Sequence, residues 1–400
     1  MDIHTVRTNA VSSDAKKAGD EALAEVNALL LSDISMKIKT YPSMDMTEIL
    51  EQKLKTYPTL RQVFLESALQ PVGSSMPCAE PPSPPAGLRD IFRIPFNAKV
   101  LRPLGAAVLQ AAQLQNTQDA SDLSLLLSRL NDRIDKCKII WQLGSTAVLG
   151  LDSQLVMKVG QDIDVGHIPT LDYIKKQAPQ LPIPEFYGIL QQADGNRTFV
   201  FMTRVPGEPL DSKWRSLNSN QKASISEQLN AIVRGFRYIS APPSEDPRAV
   251  LGGGSPRRCK DARRQLHIAD GPISNEAEFN KFIASNPQRR NTSYIDMVRS
   301  YLKGGHEVVL THGDLHPRNV MVSITPGDSS DLRATSEVVV TGLLDWEMSG
   351  WYPEYWEYVK ALHTINPGDG FDDWYACLPP AIGVWPREHA VDVMLSRWHG

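Results

Sequence analysis

Apolar positions along this chain fall into two rhythms. Short β-branched runs read as strands: Ile139 to Leu143, Ala147 to Leu151, Leu155 to Val159, Thr198 to Met202, Glu307 to Leu310, Val320 to Ile324 and Val338 to Leu344. Apolar residues at helical spacing mark Glu21 to Leu31, Met46 to Leu69, Ala106 to Leu114, Ala120 to Ile134 and Ser219 to Tyr238, the last through Ile225, Leu229, Ile232 and Phe236. A further helix is expected around His167 to Lys176. Polar stretches separate these elements. Met1 to Gly19 predicts disorder, and Ser74 to Gly87 is proline-rich and reads as a semi-rigid linker. Thr325 to Ser336 can be the connection of a hairpin between the two strands that flank it.

Composition narrows the class without naming a chemistry. The 400 residues, 42% hydrophobic, are enough for two lobes around a large core. A net charge of −4 provides no global field for nucleic acid. The local basic run Arg257-Arg258-Cys259-Lys260-Asp261-Ala262-Arg263-Arg264 lacks interleaved aromatics and reads as a solvated face. Cys78, Cys137, Cys259 and Cys377 are widely spaced and form no C-x-x-C pair, which suits a reducing compartment and excludes a disulfide framework or a cysteine zinc site. No apolar run reaches transmembrane length and the first thirty residues show no signal-like core, so the expectation is a cytoplasmic protein with no membrane and no nucleic-acid partner.

The chemistry is carried by Thr311-His312-Gly313-Asp314-Leu315-His316-Pro317-Arg318-Asn319, placed between two predicted strands. From His312 its spacing is H-x-D-x-x-x-x-N, by which kinases set a carboxylate beside the acceptor hydroxyl and an amide beside a metal. The hairpin Val320 to Leu344 delivers a second aspartate, Asp345, back beside Asn319. Such a cluster is what phosphoryl transfer requires: positioning, charge neutralisation and hard oxygen ligands for Mg²⁺.

These residues, with Leu344-Asp345-Trp346-Glu347 and Gly350-Trp351-Tyr352-Pro353-Glu354-Tyr355-Trp356-Glu357, resemble the aminoglycoside phosphotransferase and choline kinase family, particularly its large fungal branch. The resemblance implies an α+β, two-lobed protein-kinase-like fold, here with an additional mostly helical N-terminal extension. It implies Asp314 as the catalytic residue, Asn319 and Asp345 as magnesium ligands, and a small-molecule hydroxyl as acceptor. Weaker similarity extends from about Lys138 to the end. The domain expectation is an extension over 1–87 with its linker at 74–87, a helical segment over 88–137, a nucleotide-binding N-lobe with hinge over 138–205, and a C-lobe over 206–400.

A kinase also holds the donor phosphates with a strand lysine, and Lys158 in Leu155-Val156-Met157-Lys158-Val159 fits. Gly144 and Ser145 would close the hairpin over ATP, and Met202, Thr203 and Val205 are the hinge candidates for the adenine edge. The glutamate that kinases place on the next helix is missing. Asp172 is the nearest acid on that predicted helix, with Asp162 and Asp164 in the loop before it. Glu347 and Glu357 could bind an acceptor amine or pair with Arg318; His312 is expected to anchor the loop, and His316 to approach phosphate or metal. The aromatics from Trp346 to Tyr358 are expected to pack, buttressing the magnesium loop. The Gly-rich insert Gly252-Gly253-Gly254-Ser255-Pro256 is no Walker A loop, because no Gly-Lys-Ser/Thr follows. Like the fungal inserts it resembles, it precedes a Phe-containing acidic segment, Asn275 to Asn280, and is expected to shape the acceptor cleft.

The reading is therefore an ATP- and Mg²⁺-dependent small-molecule kinase, with acceptor identity and oligomeric state unconstrained. A pseudokinase acting as a binding module is the alternative that the missing helix glutamate would suit. A protein kinase fits less well, since Asp345-Trp346-Glu347 replaces Asp-Phe-Gly and no Ala-Pro-Glu-bounded activation segment follows.

Overall fold

The computed structural model describes scattered positions between residues 23 and 61 and, from 90 to 396, all but 114–122, 144, 162, 263–265, 286–292, 326–336, 364 and 366–369. The chain divides into two units, 1–86 and 87–400. In the first, the described positions, among them Leu23, Asn27 and Tyr57, are helical, and Tyr57 Oη donates to Asn27 Oδ1 at 2.8 Å. The segment expected to be disordered and the Pro-rich linker lie outside the described residues.

The second unit begins with a six-stranded antiparallel sheet. Its strands are β1 (Lys99–Arg102), β2 (Lys138–Leu143), β3 (Thr146–Gly150), β4 (Leu155–Gly160), β5 (Phe186–Gln191) and β6 (Thr198–Thr203), in spatial order β1-β5-β6-β4-β3-β2. β4, with five of its six residues buried, lies inside the sheet between β3 and β6. Against the sheet pack α1 (Ala106–Ala111) and α2 (Leu123–Lys136), the latter presenting Leu126, Leu127, Leu130 and Ile134 to Leu149, Met157, Phe199 and Phe201. The pattern of hydrophobic positions gave no sign of β1. The reason is its edge position: Lys99, Val100 and Leu101 are all exposed, so no in-out alternation is written into them.

A buried polar clamp fastens α2 to the chain that precedes β1. Asn131, 2% exposed, accepts from Ile94 N at 2.8 Å and donates to Ile94 O at 2.9 Å. Replacement by alanine strands both backbone groups away from water, so Asn131→Ala is expected to destabilise the fold by about 1–3 kcal/mol. Urea unfolding followed by circular dichroism measures this.

α3 (Ile168–Gln177) follows β4, and the C-terminal lobe is built on α4 (Leu210–Lys213) and α5 (Ser219–Arg237), with α6 (Glu276–Ala284), α7 (Ser293–Arg299), α8 (Trp356–His363) and α9 (Pro386–Ser396) following. The long helix α5 starts with a full capping box, in which Asn218 Oδ1 accepts from Gln221 N while Gln221 Oε1 accepts from Asn218 N. It buries Ile225, Leu229, Val233 and Phe236, the stripe read from the sequence with Val233 in place of the partly buried Ile232. Three short sheets complete the lobe: β7 (Glu208–Pro209) with β11 (Val320–Thr325) and β12 (Glu337–Leu343), β8 (Lys260–Ala262) with β9 (Leu266–Ile268), and β10 (Val308–Thr311) with β13 (Gly350–Pro353). This is the two-lobed α+β arrangement expected of a protein-kinase-like fold. No helix among the described residues is long and apolar enough to cross a membrane.

Candidate active site

Two pairings deliver the motif residues to one place. β11 and β12 run antiparallel in the register Val320↔Leu343, and one residue beyond it Leu344 N donates to the Asn319 carbonyl at 2.7 Å. Asn319 and Asp345 are thereby held beside each other, as the hairpin pattern required. The tip of that hairpin, 326–336, lies outside the described residues. Behind the loop, β10 pairs with β13 from Val308↔Pro353 to Thr311↔Gly350, which ties the start of one motif to the end of the other.

The loop itself is strung on buried polar bonds. His312, fully buried, contacts Leu344 O through Nε2 at 2.8 Å, accepts from Asp314 N through Nδ1 at 3.2 Å and stands edge-on to Trp346. It is the anchor that the sequence suggested. His316 accepts from Arg318 N at 3.1 Å, capping the short turn Pro317–Asn319, and its ring meets Phe371 edge-on. Asn319 spends its amide nitrogen on Asp314, at 2.9 Å to the carbonyl and 2.8 Å to Oδ2. That leaves the Asn319 Oδ1 atom as its ligand face. One guanidinium nitrogen of the half-exposed Arg318 lies 3.0 Å from both Asp314 oxygens.

Glu357 is neither an amine ligand nor a partner of Arg318. It is fully buried and accepts from His312 N at 2.5 Å and Gly313 N at 3.2 Å. Gly313 has φ 82°, and a side chain there would run into Met348 O, so glycine lets the loop turn against the neighbouring segment. A glutamate between Trp356 and Val359 on the apolar face of a helix was the available signal for this burial.

Glu347 corrects the same expectation differently. Its Oε1 lies 2.5 Å from Lys158 Nζ, so the loop after Asp345 supplies the acid that the helix lacks. Asp172, the nearest acid on α3, is turned outward onto Arg102, at 2.5 and 3.1 Å. Asp164 is bonded to Lys260, and Asp162 lies outside the described residues. Burial pulls the Lys158 ammonium down, but Glu347, Asp345 and Asp164 outweigh it and hold the pKa above that of an ordinary lysine. The neighbouring His167 is buried and its pKa falls to about 4, so it stays neutral.

Asp345 is exposed, yet protein crowds its carboxylate. The resulting desolvation raises its pKa; Lys158 opposes that, whereas the carboxylates of Glu347 and Asp314 add to it. A carboxylate short of positive charge in this way suits a hard cation. Among the described residues no three His, Cys, Asp or Glu side chains converge as a metal site. An ion here would be held by Asp345 and Asn319 Oδ1, with its remaining ligands coming from phosphate and water, which is the pattern Mg²⁺ prefers.

The strand that carries Lys158 also aligns the hinge, through the register Leu155↔Thr203. Thr203 N is spent on Glu185 O at 2.9 Å and Arg204 N on Gln154 O at 2.8 Å. Among the described residues nothing accepts from Val205 N. Ser145 lies exposed at the β2–β3 turn, and Gly144 falls outside the described residues. Trp346, Trp351, Tyr352, Tyr355 and Trp356 are all at most 2% exposed and belong to the core under the loop.

The Gly-rich insert does not lie loose on the surface. Gly252 exchanges backbone bonds with Trp351 at 2.8 and 3.0 Å, and a side chain at Gly253 would come 1.9 Å from Ser349 O. The insert is thus seated on the segment that follows Asp345. Arg257 and Lys260 of the basic run are buried rather than solvated, while Arg263 and Arg264 lie outside the described residues.

No curated protein matches the chain significantly. Among solved structures, an aminoglycoside-3'-phosphotransferase of type VIII is 15% identical, covering 68% of this chain and 97% of its own with a TM-score of 0.41. A thermostable mutant of aminoglycoside phosphotransferase APH(4)-Ia, in ternary complex with AMP-PNP and hygromycin B, is 12% identical over 65% of this chain and 83% of its own, with a TM-score of 0.42. The GDP and kanamycin complex of APH(2")-IIia is 17% identical over 65% and 82%, with a TM-score of 0.36. Those likenesses are too distant to carry an argument, whereas the family model described as "Phosphotransferase enzyme family" matches residues 168–379. With more than half of its length inside that match, including the stretches that carry Asp314, Asn319 and Asp345, the chain belongs to the phosphotransferase enzyme family.

Proposed function

We propose that this phosphotransferase moves the γ-phosphoryl group of ATP to a hydroxyl of a small molecule, with Mg²⁺ as cofactor. The observation that carries the reading is the convergence of Lys158 from β4, Asp314 and Asn319 from the catalytic loop, and Asp345 from the end of β12 on one cleft. Asp314 orients the acceptor hydroxyl and receives its proton. Lys158 holds donor phosphate, and Asn319 and Asp345 would hold Mg²⁺, which would supply positive charge against the phosphates. Met202, Thr203 and Val205 frame the adenine edge, with the Val205 amide as the available donor; Gly144 and Ser145 cover the phosphates. In this scheme 138–205 is the nucleotide-binding part, 206–400 carries the catalytic loop and acceptor site, 1–87 is an N-terminal extension, and 88–137 is a helical segment leading into the kinase-like domain. The hydroxyl-bearing acceptor is a diffusible metabolite or drug, and the protein works in the cytoplasm.

The first test is consumption of Mg·ATP across aminoglycosides, choline, sugars and hydroxylated metabolites. Acceptor-dependent turnover is expected for at least one class. The metal assignment is checked separately by calorimetry: Asp345→Ala is expected to weaken Mg²⁺-dependent ATP binding by about 10–100-fold, with adenosine affinity unchanged. Equal Mg·ATP affinity in Asp345→Ala would refute the assignment of that ligand.

A further inference from the structure

The pairing of Lys158 with Glu347 raises a mechanical problem. A glutamate on a helix is held by the helix; Glu347 stands on a loop, between Trp346 and Met348, with no ladder of its own. Something else must keep that loop at a fixed distance from β4. The residue that meets this need is Lys260, from the insert. It is buried, its Nζ donates to the carboxylate of Asp164, and it donates again to the carbonyl of Glu347 itself at 3.0 Å. Asp164 belongs to the link between β4 and α3, so one ammonium bridges the strand that carries Lys158 and the loop that carries its counter-charge.

The remainder of the insert reinforces the same bridge from both sides. Toward the β4–α3 link and α3, Ser255 N donates to Gly166 O at 2.9 Å and Gly254 N to Thr170 Oγ1 at 3.2 Å. Toward the catalytic lobe, Gly252 pairs with Trp351, and Lys260 N donates to Tyr352 Oη at 3.0 Å. The contacts that place Lys260 therefore reach both the β4–α3 side and β13, two sides that also meet where Tyr173 of α3 stands edge-on to Trp351.

We infer that Lys260 is a positioning residue for nucleotide phosphate: it clasps Asp164 to the Glu347 loop and thereby holds the Lys158–Glu347 pair in place, doing by an insert what kinases do with a helix glutamate. The inference rests on the nucleotide reading above, since it assigns Lys260 a role in that site. It distinguishes Lys260 from Lys158, which would touch phosphate directly.

The test uses the full chain and calorimetric titration with Mg·ATP and, separately, adenosine. Lys260→Met is expected to weaken Mg·ATP binding by about 10–100-fold and to leave adenosine affinity unchanged, because the hinge is untouched. Asp164→Asn should reproduce the loss without altering a side-chain volume in the core, and Lys260→Arg should recover most of the affinity. Hydrogen exchange in the absence of nucleotide should quicken at Gly166 and at Glu347 to Ser349 in Lys260→Met. Full Mg·ATP affinity in Lys260→Met, or parallel loss of Mg·ATP and adenosine binding without rescue by arginine, would overturn the inference and leave the nucleotide reading standing. Failure of the unmodified protein to bind Mg·ATP would overturn that reading, and this inference with it.

Discussion

Asp314→Asn is expected to cut acceptor-dependent turnover by about 10²–10⁴-fold, the range of a positioned general base, while ATP affinity stays at its original value. The separation follows from the geometry. Asp314 faces Asn319 and Arg318, whereas the groups assigned to donor phosphate and metal are Lys158, Asp345 and the Oδ1 of Asn319. Asparagine fits the same space and keeps one acceptor oxygen, but it cannot take a proton from a hydroxyl. It also turns an amide NH₂ toward donors, the Arg318 guanidinium or the Asn319 amide, where aspartate offers only oxygens. Steady-state kinetics alongside calorimetry decide the matter. Unchanged turnover in Asp314→Asn would remove the mechanism, and lost ATP binding would show that the residue acts on the donor rather than the acceptor.

Glu357→Ala is expected to be the most damaging change to stability among the residues around the loop. Glu357 carries a buried charge, and its carboxylate receives two backbone amides at the turn His312-Gly313. Nearby, Arg237 is also buried; desolvation lowers its pKa and the Glu357 charge offsets part of that. Removing the carboxylate leaves two amides unbonded and the Arg237 charge without that compensation. Breaking one partner of a buried charged arrangement costs about 3–5 kcal/mol, a large share of the roughly 5–15 kcal/mol that holds a domain together. Glu357→Gln keeps one acceptor and should cost less. Denaturant titration of both variants, with hydrogen exchange at His312 and Gly313, measures the effect; an alanine variant as stable as the original would show that water replaces the carboxylate.

The parts of the site that the sequence revealed are those whose spacing is local. Asp314 and Asn319 sit five residues apart in one loop, and Asp345 follows from a single hairpin whose two strands read as short β-branched runs. Lys158 was legible because β4 is buried on both sides and reads as an apolar run around one lysine. What stayed hidden depends on tertiary distance. The Lys158–Glu347 pair joins positions 189 residues apart, and nothing in either neighbourhood encodes the other. Asp172 looked like the substitute only because α3 was the expected place to search; the fold aims it at Arg102. Lys260 was masked differently, inside a basic run whose composition suggests solvent, although the folded insert buries it. Glu357 was ambiguous because a carboxylate near a cationic loop has several possible partners, and backbone amides announce nothing in a sequence.

The backbone at Asp345 has a consequence of its own. With φ at 61° it is one of two described non-glycine residues in the left-handed region, where a side chain costs about 1–3 kcal/mol. Glycine would remove that penalty. An aspartate there gives up stability for a carboxylate at that one point, a cost for which the proposed metal-holding role supplies a reason.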